Sequence, residues 1–206
     1  MENQVEIDTV TVPIRKIERL DNAIIDSLIQ INQSKILIAN FWDGMSQEQF
    51  VTIGEKDQLN PIYGNAPEYI SFTYEIDNNR FDGVGIFDEK LRLVEIKLSI
   101  MNRNQNEDKI SMANIDNIIR LLTQKYGKSI KTENHIIRYS LTHLWKSKKK
   151  KIILTEDHSL SMKNDTRNGS KIFMVSISYT GELAEHQAKR AKNEQDKKIP
   201  EILKKL

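Results

Sequence analysis

Two hydrophobic periods alternate along the chain. PIRKIERLDNAIIDSLIQ sets Ile14, Ile17, Ile24, Ile25 and Leu28 at near-helical spacing, with Pro13 suited to a first helical position. KILIANF is an apolar run of strand length. GMSQEQFVTI then opens a second helix, because Ser46 and Gln49 make the S-x-x-Q pattern of a capping box. NPIYGNAP, rich in Pro, Gly and Asn, predicts a loop. Period two takes over after it. Phe72, Tyr74 and Ile76 alternate in ISFTYEI, Val84 and Ile86 in GVGIF, and Val94, Ile96, Leu98 and Ile100 in LRLVEIKLSI, with FDEKL as a tight turn between the last two strands.

The helical period returns at Asn114, where Ile115, Ile118, Ile119, Leu122 and Tyr126 form one stripe and Gly127 waits as the residue past the end. HIIRYSLTHLW, KIILTE and KIFMVSISY predict three more strands, the last two joined through a turn signal at Asn168-Gly169. GELAEHQAKRAKNEQDKK favours helix, but Leu183 is its only large apolar residue, so it should project into solvent or lie against a partner. Pro200 should interrupt it, leaving Ile199, Ile202, Leu203 and Leu206 along one face of IPEILKKL, a face that either docks on a partner or folds back to cap the chain's own core.

Helix followed by three antiparallel strands thus occurs twice, which argues an α+β fold built from two helix-plus-antiparallel-β-meander units in tandem. The expected division is an N-terminal helical segment over 1–33, a first unit over 34–104, a second over 105–180, and a charged C-terminal helix with a docking-like end over 181–206. Tyr63-Gly64 before the first strand set echoes Tyr126-Gly127 before the second.

Composition narrows the chemistry. The 206 residues are 38% hydrophobic and 29% charged, the balance of a globular chain, with room for one domain or two small ones. A net charge of +2 from 31 basic and 29 acidic residues means that any pull on nucleic acid or membrane must be local. Cysteine is absent, which removes disulfides, thiolate nucleophiles and zinc–thiolate sites and leaves the compartment open. MENQVEIDTV lacks the pattern of a signal peptide, and no apolar run approaches the roughly 18 residues of a membrane span. A cytoplasmic location fits the chain as it stands, and a periplasmic one fits a chain whose signal has been removed. The heavy use of Ile, Asn and Lys is a habit of AT-rich bacteria.

The strongest local charge is LWKSKKKKIIL, with five lysines in six positions. A turn at Lys148-Lys149 pairs Trp145 with Ile152 and Leu144 with Ile153, and puts Lys146 opposite Lys151. The first reading is a solvated hairpin apex whose lysines also guard an edge. The second is a nucleic-acid surface of Lys146, Lys148, Lys149, Lys150 and Lys151. Single-strand platforms interleave aromatics with such residues, whereas Trp145 stands alone and packs inward.

Catalytic signatures are missing. His135, His143, His158 and His186 show no i, i+4 pair and no H-E-x-x-H, so no metal is expected. G-x-S-x-G, an S-x-x-K set and phosphate-binding glycine loops do not occur, so no cofactor is expected. Gly83 and Gly85 instead suggest a bulge or a close backbone approach. DNNRFDG lacks the third ligand and closing glutamate of a calcium loop, since Phe81 takes the ligand position. Turn chemistry accounts for Asp77, Asp82 and Asp88, which with Glu89 and Glu95 form an acidic cluster. The sequons at Asn32, Asn164 and Asn168 have no secretory signal beside them. An active site assembled from dispersed residues is the third reading.

NFWDGMSQEQF followed by strands, then IIRLLTQKYGK followed by strands, resembles two groups of small bacterial envelope and inhibitor modules. The β-lactamase inhibitory proteins carry two such helix-then-meander units in tandem, and the small lipoprotein of the outer-membrane β-barrel assembly machine carries one. Gly44, Met45, Ser46 and Phe50 carry the likeness, with Tyr126-Gly127 closing the second helix, over about residues 34 to 180. The chain departs from those families in having no lipidated cysteine and no disulfide pair. The resemblance implies sheets that hold another protein and perform no chemistry. The expected function is therefore bacterial protein binding, as an inhibitor, immunity or assembly-accessory factor. Its candidate contacts are Trp145, Lys146, Lys148, Lys149, Lys150 and Lys151 on the hairpin, and Ile199, Ile202, Leu203 and Leu206 at the end.

Overall fold

A computed structural model describes residues 20–64, 66–101, 112–134, 140–147, 149–159 and 171–203. Asp21 starts the first helix, α1 (Asn22–Ile31), by accepting the Ala23 N–H at 2.8 Å, and Ile25 is its buried residue. The expected start at Pro13 lies outside the described residues. KILIANF is two short strands rather than one. Ala39 takes φ 50° and folds β1 (Ile36–Ile38) back on β2 (Phe41–Trp42).

Each residue of GMS has its own task. Gly44 sits at φ 85°, the left-handed region where glycine is favoured, and its N–H donates to the Leu93 carbonyl at 2.8 Å. Met45 is fully buried, and Ser46 caps α2 (Gln47–Lys56). The capping box forms as predicted: the Gln49 N–H donates to Ser46 Oγ at 3.3 Å, and the Ser46 N–H donates to Gln49 Oε1 at 2.9 Å.

The predicted loop NPIYGNAP contains an edge strand, β3 (Ile62–Tyr63), paired with β4 (Tyr69–Ile76). β5 (Asn79–Phe87) and β6 (Leu93–Met101) complete the first set. Asp88 knits the turn between them. Its carboxylate accepts the Lys90 and Arg92 N–H groups at 3.0 and 2.9 Å and the Arg92 guanidinium at 2.7 Å. Asp77 also serves a turn, at φ 52°. Asp82, in contrast, lies within β5, so turn chemistry does not explain it.

α3 (Met112–Tyr126) ends as expected at Gly127, φ 85°, whose N–H donates to the Thr123 carbonyl at 2.9 Å. Four strands follow rather than three: β7 (Ile130–Asn134), β8 (Ser140–Lys146), β9 (Lys150–Ser159) and β10 (Lys171–Gly181). β7 had been missed because IKTEN has a single apolar residue. Residues 135–139 and the Asn168-Gly169 turn lie outside the described residues. α4 (Glu182–Leu203) continues past Pro200 instead of stopping there; the lost N–H bond and the ring's clash with the carbonyl four residues back fall near its end, with only three helical residues beyond.

The eight strands β3 to β10 make one antiparallel sheet in the order β3-β4-β5-β6-β10-β9-β8-β7. The two strand sets meet where β6 runs beside β10, from Met101↔Met174 to Glu95↔Thr180. One face of this sheet carries the core. Phe41 stacks on Phe50 with ring centroids 4.0 Å apart, and Phe72 meets both edge-on at 5.4 and 5.5 Å. Ile118 and Leu122 of α3 join the same core as Trp145, Ile152 and Leu154. Gly83 and Gly85 mark close approaches: an added Cβ would lie 2.5 Å from the Phe72 ring and 2.8 Å from the Phe50 ring.

Candidate protein-binding face

Residues paired across antiparallel strands point to the same face, so the register defines the surface opposite the core. One row reads Thr73, Asp82, Ser99, Ser176, Thr155, Thr142, Thr132 across seven strands. The row beside it reads Ile62, Ser71, Val84, Lys97, Ser178, Ile153, Leu144, Ile130. A third runs Tyr69, Ile86, Glu95, Thr180, Lys151, Lys146. Hydroxyls and a few charges fill the middle of this face, with aliphatic clusters near both ends.

Local bonds keep the middle orderly. Thr142 Oγ1 lies 3.4 Å from Thr155 Oγ1, and Ser178 Oγ donates to Glu95 Oε1 at 2.5 Å. Lys97 Nζ stands 3.8 Å from the same carboxylate. At the ends, Ile62 is 66% exposed, Tyr69 45% and Ile130 64%. The buried residues of α1, α2 and α3 belong instead to the core on the opposite face.

The lysine hairpin has the expected register, with Trp145↔Ile152, Leu144↔Ile153 and Lys146↔Lys151. Trp145 and Ile152 are buried core residues, so Trp145 is no exposed contact. Ser147 organises the turn, its N–H donating to the Lys150 carbonyl at 2.8 Å and its Oγ accepting the Lys150 N–H at 3.1 Å. Lys146 reaches Glu185 of α4 at 3.8 Å. Burial, with Lys125 nearby, pushes the Lys150 ammonium below its ordinary value. Lys149 is exposed and Lys151 half-buried, whereas Lys148 lies outside the described residues.

The first turns of α4 are tied to the body. The Leu183 N–H donates to Asp43 Oδ2 at 2.9 Å, and Gln187 Nε2 donates to Asp88 Oδ2 at 2.8 Å. Residues 188–193 are exposed all round, as the sequence led one to expect. Ile199, Ile202 and Leu203 lie on the same helix, their side chains outside the description, and Leu206 lies beyond the described residues. Ile199 is twelve residues past Gln187, about 18 Å along the axis at about 1.5 Å per residue.

Sequence reasoning passed over a polar cluster on the core side. His143 Nε2 stands 3.5 Å from Glu156 Oε1, and Ser129 Oγ lies 3.3 Å from His143 Nδ1. Burial pushes the imidazole below its ordinary range, against the pull of Glu156, and Lys131 adds to the lowering. Serine, imidazole and carboxylate in line are the parts of a nucleophile relay. Here Glu156 is only 2% exposed and the imidazole stacks on Trp145 at 5.8 Å, so these two are packed as core, with Ser129 half-buried beside them. The groove bordered by Leu20, Asn22, Thr52, Glu55 and Lys56 belongs to α1 and α2 instead. His186 is exposed, the His158 side chain is outside the description, and His135 lies outside the described residues.

Among the described residues, no three His, Asp or Glu side chains converge as a metal site, and no helix is long and apolar enough to cross a membrane. The chain matches no family model, no curated protein and no solved structure.

Proposed function

We propose that this chain is a non-catalytic bacterial protein-binding module that holds its partner on the hydroxyl-lined face of the sheet. The observation that carries the reading is an eight-stranded sheet with helices packed on one side and an alternating, half-exposed surface on the other. Eight strands leave seven gaps of about 4.8 Å, so the face spans about 34 Å, and a nine-residue strand adds about 30 Å in the other direction. That is about 1,000 Å² before the short outer strands are discounted, against about 800 Å² contributed by each partner in a standard interface.

The strand order supports the tandem reading. α2 with β3 to β6 and α3 with β7 to β10 would be two versions of one plan joined at their last strands, as in the inhibitory modules that the sequence resembles. α4, whose residues 188–193 are exposed, would carry Ile199, Ile202, Leu203 and Leu206 to the same partner. The nucleic-acid reading of the hairpin has less support, because Glu185 answers Lys146 and Lys150 is partly buried.

The test is affinity capture from the source cells with the native chain and with Val84→Arg and Ile153→Arg on the open face. A stoichiometric partner that both variants lose supports the proposal. Turnover of a metabolite with no captured partner, or capture unchanged by both variants, defeats it.

A further inference from the structure

We propose that two copies of this chain associate through antiparallel pairing of their β7 strands, which makes one continuous sheet across the dimer. β7 forms one end of the sheet order, and all five of its residues are exposed. At the opposite end β3 has two residues, too short for a comparable ladder. A five-residue edge normally needs protection from strand addition, and charge is the usual device.

The charges of β7 are ordered to attract its own copy. The strand reads Ile130-Lys131-Thr132-Glu133-Asn134. Two antiparallel copies related by a two-fold axis at Thr132 place Lys131 opposite Glu133 of the second copy, and Glu133 opposite its Lys131. Thr132 meets its own equivalent, and Ile130 faces Asn134. Such self-complementarity is what an isologous interface requires. In-register parallel pairing would instead set lysine against lysine and glutamate against glutamate, which is unfavourable. Within one chain, Lys131 and Glu133 lie 3.6 Å apart at 54% and 47% exposure, so both charges are accessible at the edge.

The neighbouring side chains agree. Ile130 continues the aliphatic row of Leu144 and Ile153. A two-fold perpendicular to the sheet keeps both copies' open faces on one side, so this row approaches the junction from each copy. The pairing does not rest on the partner-binding reading, because it uses the edge rather than the face.

Sedimentation equilibrium or native mass spectrometry over a wide concentration range tests it. The native chain should reach twice its monomer mass, with association weakened by added salt. Lys131→Glu alone and Glu133→Lys alone should each weaken dimerisation about tenfold or more, because two attractive pairs become two repulsive ones. Mixing these two variants should give a heterodimer, and the swap Lys131→Glu/Glu133→Lys should restore the homodimer. A monomer at every concentration overturns the proposal. So does a dimer that both single variants leave unchanged. Circular dichroism of each variant checks that the fold is retained, and the rescue by mixing separates pairing from misfolding.

Discussion

Replacing Gly83 with alanine tests whether the aromatic core depends on bare backbone in β5. The new methyl would lie 2.5, 2.6 and 2.7 Å from three carbons of the Phe72 ring. Carbon atoms pack best at about 3.5–4.0 Å, so the ring must retreat by about 1 Å. It has little room to do so. Phe72 is 4% exposed and meets Phe41 and Phe50 at centroid distances of 5.4 and 5.5 Å, so the displacement passes into the stacked pair. Overpacking of this kind costs about 1–3 kcal/mol. At about 2–4 °C per kcal/mol for a chain of this size, Tm should fall by about 2–12 °C. Urea unfolding followed by circular dichroism gives the free energy, and an unchanged m-value shows that the loss is in the native state. Two comparisons locate the cause. Val84→Ala, one residue away on the open face, should cost less than Gly83→Ala. In a Phe72→Leu background the glycine substitution should cost less than in the native chain, with a coupling of about 0.5 kcal/mol or more. A Gly83→Ala change within about 0.5 kcal/mol of zero would refute the reasoning, since that is the range of an ordinary surface substitution.

Three further outcomes are expected. The folded pKa of His143 lies below its ordinary 6.5 through burial, so the unfolded chain takes up a proton first. Stability should be full above about pH 6.5 and decline as the pH falls toward the folded value, a slope that His143→Gln should flatten in pH-dependent urea melts. The Asp43 carboxyl is raised above 3.8 by burial, the opposite case, so its contribution is lost as pH rises through the folded value. Asp43→Asn can keep the bond to the Leu183 N–H and should hold or raise Tm at neutral pH, whereas Asp43→Ala should lower stability by about 1 kcal/mol. Ser46→Ala breaks the capping box of α2 and should also cost about 1 kcal/mol by denaturant titration.

The sequence disclosed most where geometry is local. Ser46 and Gln49 named a helix start, Gly127 a helix end, and five lysines a hairpin whose register followed from the apolar residues on its flanks. Each depends on residues within a few positions of one another. The misses also have local causes. IKTEN is a strand because β8 lies beside it, and its own pattern offers one aliphatic residue. KILIANF is apolar throughout, which hid the left-handed Ala39 that divides it. Pro200 looked like a stop, yet it falls where a helix has little left to lose. The candidate site was less legible still. Val84, Ser99, Thr142 and Ser176 are ordinary strand residues in sequence, and they become one surface only when the register is known. Glu156 went unnoticed because its neighbour His143 lies on a different strand.

The pairing of β6 with β10 decides what the surface can do, and periodicity carries no trace of it. Ser99 and Ser176 become neighbours although the sequence separates them by more than seventy positions. Had the two strand sets closed separately, each would have presented a face of about half the width, below the footprint of a standard interface. Joining them at their last strands doubles that width and sends the short or polar strands, β3 and β7, to the outside. β6 and β10 supply Glu95, Lys97, Ser99, Ser176, Ser178 and Thr180 at the centre of the open face, with Leu98, Ile96, Val175 and Ile177 beneath. The centre of the sheet is therefore flanked by strands on both sides, and Ser178 and Lys97 both engage Glu95 there. A partner seated there would meet a rigid surface whose ordering cost has been met in folding, which favours binding by shape and hydrogen bonds over binding by net charge.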